Sequence, residues 1–246
     1  MKTPILAAAF AALALPGQAM DIGQMSDEER AIFREEVRAY LLDNPEVIME
    51  AVAVLEERQA AGQAAQDMTL VQVNADDIFN DGYSWVGGNP EGDITLVEFV
   101  DYRCGYCRRA HDEVKELVES DGNIRLIVKE FPILGEASTQ SSRFAIAVKQ
   151  LSGADAYHAA NDALIRLRSD ANARSLRKLA TSLGLDADAI LAHMDSADVT
   201  NEIQKTRELA QRLQITGTPT FVMQDDMLRG YLPLEQMREL VASKRG

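Results

Sequence analysis

Two cysteines three positions apart, Cys104 and Cys107, are the residues of this sequence best suited to chemistry, and they are its only cysteines. A thiolate at such a pair can attack a disulfide, and the second thiol can then resolve the mixed disulfide. A structural staple is a weak explanation, because so short a loop cross-links almost nothing. Tetrahedral zinc usually takes four ligands, and the only histidines, His111, His158 and His193, form no ligand-like pair. His158 and His193 read as surface or rim residues. A two-thiolate copper(I) site stays open because soft thiolates suit that ion. So does a binding module in which the pair is vestigial.

The elements around the pair must hold one sulfur charged and reachable. The apolar run Ile94–Val100 reads as a buried strand, and Ala110, Val114, Leu117 and Val118 give a helical pattern after the cysteines. Cys104 then stands at a helix N-terminus, where unpaired N–H groups and the dipole favour a thiolate. Glu98 is anomalous in that strand, since an unpaired buried carboxylate is costly. It is either a functional acid or a residue on a solvent-facing position, and Lys129 is a possible partner. Residues 124–131 supply a second strand, making a βαβ unit expected to be parallel and right-handed.

Residues 136–213 read as helix throughout. The stripes are Phe144, Val148 and Leu151, then Tyr157, Ala160, Leu164 and Leu167, then Leu176, Leu179 and Leu183. Asp186 can cap the next helix, which continues through Val199, Ile203, Thr206, Ala210 and Leu213. Residues 215–223 return to strand, Asp225-Asp226 is a turn, 227–230 can pair back, and 233–241 closes the chain as a helix. Upstream, Ser26-Asp27-Glu28-Glu29 is a capping box. It leads into a stripe of Phe33, Val37, Tyr40 and Leu41, and Pro45 suits the first turn of a second helix carrying Val47, Ile48, Val52 and Leu55. These two short amphipathic helices must bury their faces on the main domain or on another copy of themselves. Residues 59–66 lose the stripe, and 67–92 read as a connector with a β-like piece at 69–73.

Lys2, an apolar stretch over 5–15 and Gly17-Gln18-Ala19 have the layout of a secretory signal peptide, with the mature start at Met20. The apolar stretch is about half the roughly 20 residues a membrane span needs. A short buried N-terminal helix is the alternative. Export would place the cysteines in an oxidising compartment. The net charge of −14 argues against a nucleic-acid partner.

A Cys-x-x-Cys at a strand–helix junction, a βαβ unit, a helical insertion and Thr218-Pro219 opening a late strand–hairpin–helix together resemble the DsbA-like branch of the thioredoxin superfamily. The phrase Tyr40-Leu41-Leu42-Asp43-Asn44-Pro45-Glu46 resembles the N-terminal region of ScsC-type disulfide isomerases. The resemblance implies an α/β thioredoxin fold with a helical insertion, preceded by an N-terminal α-helical segment. The implied layout is a signal peptide over 1–19, an oligomerisation segment over 20–66, a linker over 67–92 and a thioredoxin-like domain over 93–246.

It also implies roles. Cys104 becomes the exposed nucleophile and Cys107 the resolving thiol. Pro219, an ordinary turn or edge-strand proline by spacing alone, becomes a cis-proline facing the pair. Thr218 lends backbone hydrogen bonds to a substrate strand, with Gly105 and Tyr106 on the same substrate-binding surface. Glu98 becomes a buried acid exchanging protons with Cys107. No cofactor beyond the redox-active Cys104–Cys107 disulfide is implied. Expected partners are unfolded or misoxidised exported proteins, a membrane thiol-redox partner and further copies of the chain through 26–66, all in the periplasm.

Gly105-Tyr106 departs from the Pro-His dipeptide of the most oxidising relatives, so no imidazolium inside the motif stabilises the thiolate. Arg103, Arg108 and Arg109 are expected to make up part of that. The Cys104 pKa should fall in the roughly 3.5–7.5 range of activated cysteines, with a less oxidising disulfide. His111, one turn past Cys107, either tunes it or simply lies on the helix surface.

Overall fold

The computed structural model describes residues 22–246. The signal segment expected over 1–19 and its cleavage near Ala19 lie outside the described residues. The chain divides into two compact units, Met1–Arg58 and Gln59–Gly246.

In the first unit, α1 (Asp27–Asp43) opens on the expected capping box. Ser26 Oγ accepts from the Glu29 N–H at 3.2 Å, and the Glu29 carboxylate accepts from the Ser26 N–H at 2.8 Å. Asn44 closes the helix by bonding the Tyr40 carbonyl with both its backbone and its side chain. α1 buries none of its residues. Phe33, Val37, Tyr40 and Leu42, with Ile48, Val52 and Leu55 of the following helix, are exposed. Within this unit the apolar stripe stays uncovered.

The second N-terminal helix, α2 (Glu46–Val73), is long rather than short. Residues 59–66 belong to it, and so do residues 69–73, which were expected as a β-like piece. A five-residue apolar run does not distinguish strand from helix by periodicity. Burial decides it here: Asp67 and Val71, one helical turn apart, are both buried. The Asp67 carboxylate accepts from Arg229 at 2.7 and 3.2 Å, and Val71 packs beside Ile78. The linker expected over 67–92 is therefore folded structure. It holds the end of α2, then α3 (Ala75–Phe79) and β1 (Trp85–Gly88).

β2 (Ile94–Val100), α4 (Gly105–Asp121) and β3 (Ile124–Glu130) form the expected parallel βαβ unit. β1 adds antiparallel to β3, so the sheet begins before the Asp93 boundary expected for the domain. The late strand shortens to β4 (Thr220–Met223), with 215–219 as a loop. It turns into β5 (Asp226–Arg229), and α9 (Leu234–Arg245) outlasts its expected end. The strand order is β1-β3-β2-β4-β5.

β2 is apolar almost throughout because both of its faces are covered. On one face Ile94 and Leu96 meet Val114 and Leu117 of α4 and Met237 and Val241 of α9, while Val100 and Val128 meet the helical insertion. On the other, Val97, Phe99 and Ile127 meet Val71, Ile78 and Leu213. Burying Phe99 alone is worth roughly 1.5–3 kcal/mol.

The insertion begins with α5 (Glu136–Arg166), which bends at Gly153, where φ is 85°. The two stripes expected here are its two halves. Leu151, just before the bend, leaves the core and is 48% exposed. α6 (Ala173–Ser182), α7 (Ala187–His193) and α8 (Ala197–Arg212) follow. Asp186 caps α7 as expected, and α8 buries Val199, Ile203, Thr206 and Ala210.

Candidate active site

The turn between β2 and α4 is built on Asp101. Its buried carboxylate accepts from the backbone N–H groups of Arg103 (2.8 Å), Ile133 (2.8 Å) and Leu134 (3.0 Å) and from Ser138 Oγ (2.8 Å). Its carbonyl takes the Cys104 N–H at 3.0 Å. This fixes Cys104 as the N-cap of α4, φ −72° and ψ 123°. The neighbouring element arrives by strand pairing: Phe99 lies opposite Thr220 across the β2–β4 ladder. The residues before Thr220 thus stand beside the end of β2. The Thr218–Pro219 bond is cis, and Cys104 Sγ lies 3.1 Å from the Thr218 carbonyl oxygen.

The two thiols differ sharply. The Cys107 thiol donates to Cys104 Sγ, and this is the largest influence lowering the Cys104 pKa to about 5. Burial opposes it, while the Thr218 side chain and the Cys107 and Tyr106 N–H groups support it. Cys107 is raised, first by Cys104, then by burial and by Glu98. The expected exposure of Cys104 is corrected: the residue is only 8% exposed, against none for Cys107. Gly105 and Tyr106 next to it are exposed. A groove lined by Gly217, Thr218, Pro219 and Gly230 runs beside the loop.

Glu98 points inward, not to solvent, and is 5% exposed. Burial, the neighbouring Glu130 and Cys104 push its carboxyl up to about 8. It lines a cavity of about 250 Å³ together with Trp85, His111, Val128 and Asn161. Lys129 is not its partner. In the parallel register Glu98 stands opposite Val128 and Phe99 opposite Lys129, so the lysine leaves the other sheet face. There its ammonium meets Asp81 Oδ2 at 2.5 Å and the Asp77 carbonyl at 3.0 Å.

The arginines do more than expected: Arg108 interacts with the Cys104 charge, and Arg103 and Arg108 also hold backbone carbonyls. Arg103 donates to the Leu167 and Ser169 carbonyls at 3.2 and 3.0 Å, and Arg108 to the Tyr102 and Leu167 carbonyls at 3.1 and 3.0 Å. They fasten the loop after α5 over the start of α4, while the largest influence lowering the Cys104 pKa is its hydrogen bond from Cys107. Arg109 lies 4.5 Å from the centre of the Tyr231 ring, and Tyr231 stacks on Tyr106 at 6.3 Å. His111 pairs with Asp162 at 2.6 Å, and His158 stacks on Trp85.

Sequence reasoning missed Asp101 as the organiser of the turn, Tyr231 at the rim, and Glu130. The last carried the signal that singled out Glu98, a charge inside an apolar run.

A family model described as DSBA-like thioredoxin domain matches residues 95–242. The chain belongs to that family. A second model, described as copper resistance protein ScsC N-terminal domain, matches residues 29–61, so the α1–α2 region has relatives of its own. Among solved structures, a thioredoxin-like oxidoreductase from Silicibacter pomeroyi is 41% identical with a TM-score of 0.64, covering 69% of this chain and 96% of that one. The thiol-disulfide exchange protein alpha-DsbA2 of Wolbachia pipientis is 27% identical, TM-score 0.68, covering 73% and 98%. Proteus mirabilis ScsC in a transitional conformation is 25% identical, TM-score 0.66, covering 90% and 97%. A curated relative, the Na(+)/H(+) antiporter NhaA 3 of Salinispora tropica, is 25% identical over 158 residues, 64% of this chain and 24% of that protein. The chain thus spans about a quarter of the length of the curated relatives it matches. Cys104 and Cys107 lie together at the strand–helix junction of the DSBA-like domain.

Proposed function

We propose that the chain is an exported protein disulfide isomerase or reductase of the periplasm. The observation that carries this reading is the Cys104 sulfur: it is held by the Cys107 thiol and N-terminal N–H groups of α4, beside the cis Thr218–Pro219 bond. The Cys104 thiolate attacks one sulfur of a client disulfide. A bond forms between that sulfur and Cys104, and the other client sulfur leaves as a thiolate. In isomerisation a second client thiolate then attacks and releases Cys104 unchanged. In reduction Cys107 gives its proton to Glu98 and its sulfur bonds to Cys104, while the client sulfur departs with the electron pair.

Electrostatics times that proton transfer. The Cys104 thiolate helps to hold Glu98 protonated, and once Cys104 is in a mixed disulfide that charge is gone. Glu98 then ionises more readily, at the moment Cys107 must lose a proton. Gly105, Tyr106, Thr218 and Pro219 form the client-binding rim, and no cofactor beyond the Cys104–Cys107 disulfide is needed. A membrane thiol-redox partner keeps the pair reduced.

The uncovered apolar residues of α1 and the start of α2 support self-association through residues 26–66. An assembly that holds several Cys104 sulfurs around one client favours isomerisation over net oxidation. The test is recovery of activity from a scrambled-disulfide ribonuclease, with insulin reduction in parallel. Cys104→Ser should abolish both. Replacing Val37 and Tyr40 by Asp should give single chains by light scattering, abolish isomerisation and spare insulin reduction. Single chains that isomerise as well as wild type would sink the role of the N-terminal segment.

The description of the N-terminal family as copper resistance favours one second reading, copper(I) held by the two thiolates. Among the described residues no group of three or more His, Cys, Asp or Glu side chains gathers around a metal-sized space, so Cys104 and Cys107 would be the ligand set. Tight copper(I) binding by the reduced protein without disulfide-exchange activity would favour it.

A further inference from the structure

Glu130, the last residue of β3, is 3% exposed and has no part in the reaction above. The β2–β3 register sets Glu98 opposite Val128 and Val100 opposite Glu130. Both carboxyls therefore leave the same sheet face, one diagonal step apart, with roughly 8 Å between their Cα atoms from the rise and spacing of parallel strands.

The groups facing Glu130 come from three places. Its Oε1 accepts from Tyr102 in the turn after β2 at 2.7 Å and from Tyr157 on α5 at 2.6 Å. Asn161 donates to the Tyr102 oxygen at 3.0 Å, which commits the Tyr102 proton to Glu130. Its Oε2 faces the hydroxyl of Ser142 on α5, which favours the ionised carboxylate. Lys149 of α5 is the cation in reach, and its ammonium is bonded to Glu202 and the Tyr83 carbonyl. Glu98 completes the set from β2.

Hydrogen bonding alone does not account for a glutamate here. A glutamine would accept both phenols through its carbonyl and offer an N–H toward Ser142, without a buried charge. What glutamate adds is a proton that can leave, on the same sheet face as another buried carboxyl.

We propose that Glu130 is a positioning residue for the exchange reaction: its charge sets the pH at which Glu98 trades a proton with Cys107. Two coupled carboxyls lose their protons in separated steps that belong to the pair. An ionised Glu130 holds the proton on Glu98, and a neutral Glu130 releases it. Burial pushes Glu130 itself up to about 7, so this control operates near neutral pH.

The proposal rests on the roles given to Glu98 and Cys107, but its first test does not. Carbon-13 NMR of the glutamate carboxyls in the reduced full-length protein reads each titration directly. In Glu130→Gln the midpoint of Glu98 should fall by about one pH unit, as expected for charges at this separation in a partly screened interior. Coupling is mutual, so Glu98→Gln must lower the Glu130 midpoint by the same amount. That reciprocal measurement stands even if Glu130→Gln fails to fold.

The second test loads Cys104 with thionitrobenzoate and follows its release as Cys107 closes the disulfide. The limb of the pH–rate profile that rises with pH should move to lower pH in Glu130→Gln, in step with the Glu98 midpoint. Midpoints that stay in place overturn the proposal and leave Glu98's own role intact. Midpoints that move while the rate profile does not overturn it through that role, because Glu98 is then not the group that takes the proton.

Discussion

On one face of the β2–β3 pair, Lys129 is fully buried and answered by Asp81 at 2.5 Å, with further bonds to the Asp77 carbonyl and Ser84. On the other face, Glu98 and Glu130 are as well buried and carry the same sign, with no cation bonded to either. Coulombic attraction to Asp81 offsets part of the burial cost of Lys129; both acids of the opposite face are instead pushed toward neutral pH. A buried ion pair ties α3 and the turn after it to the sheet and has no reason to change state. Buried acids of one sign can hold or lose a proton as their surroundings change, and these lie under the cysteine pair. The same backbone register thus supplies a buried ion pair on one side and two acids of raised pKa on the other.

The contrast is broken most severely from the paired side. Asp81→Ala leaves an uncompensated ammonium in the core and should cost about 3–5 kcal/mol in urea unfolding, with exchange activity per folded molecule unchanged. Glu98→Gln should do the opposite: stability at pH 7 no lower than wild type, but closure of a Cys104 mixed disulfide slowed about 10²–10⁴-fold in stopped-flow. Equal stability losses in the two variants would remove the distinction between the faces.

The pH dependence of stability sharpens it further. Cys104 has a folded pKa of about 5, below that of a free thiol near 8.5. Between those values the unfolded chain holds a proton the folded one has lost. This contribution is complete above the unfolded pKa, falls as pH drops, and is gone below about 5. Glu98, folded at about 8, works in reverse: its stabilisation is full below the ordinary carboxyl pKa and lost as pH rises through about 8. Removing the Glu98 contribution should therefore make the stability of the reduced protein rise more steeply between these pKa values, by at most about 1.4 kcal/mol per pH unit. Urea midpoints across pH for wild type and Glu98→Gln measure it; parallel curves would place the proton elsewhere. The smallest effect belongs to exposed pairs. Asp112→Asn, which breaks the solvent-exposed pair with Arg166, should change stability by less than about 1 kcal/mol.

Much of the site was legible because its parts are local in sequence. Cys104, Cys107 and the strand and helix on either side lie within one stretch, and the charge at Glu98 stood out against an apolar run. What escaped depends on neighbours distant in sequence. Lys129 and Glu98 look like natural partners until the pleat sends them to opposite faces. Residues 69–73 have the composition of a strand until Arg229 and the core claim one side of a helix. Arg103 and Arg108 look only like charges for the thiolate until the loop after α5 supplies carbonyls for them as well.

By itself the sequence determined the order of elements from β2 onward, the cysteine pair at a helix start, the capped first N-terminal helix and the acid within the strand, because propensity, period and caps act over a few residues. Tertiary structure alone decided which groups share a face. Burial and pairing are properties of neighbours brought together by strand register and helix packing. Whether a buried charge finds an opposite partner or another of its own sign is settled only when the opposing element is in place.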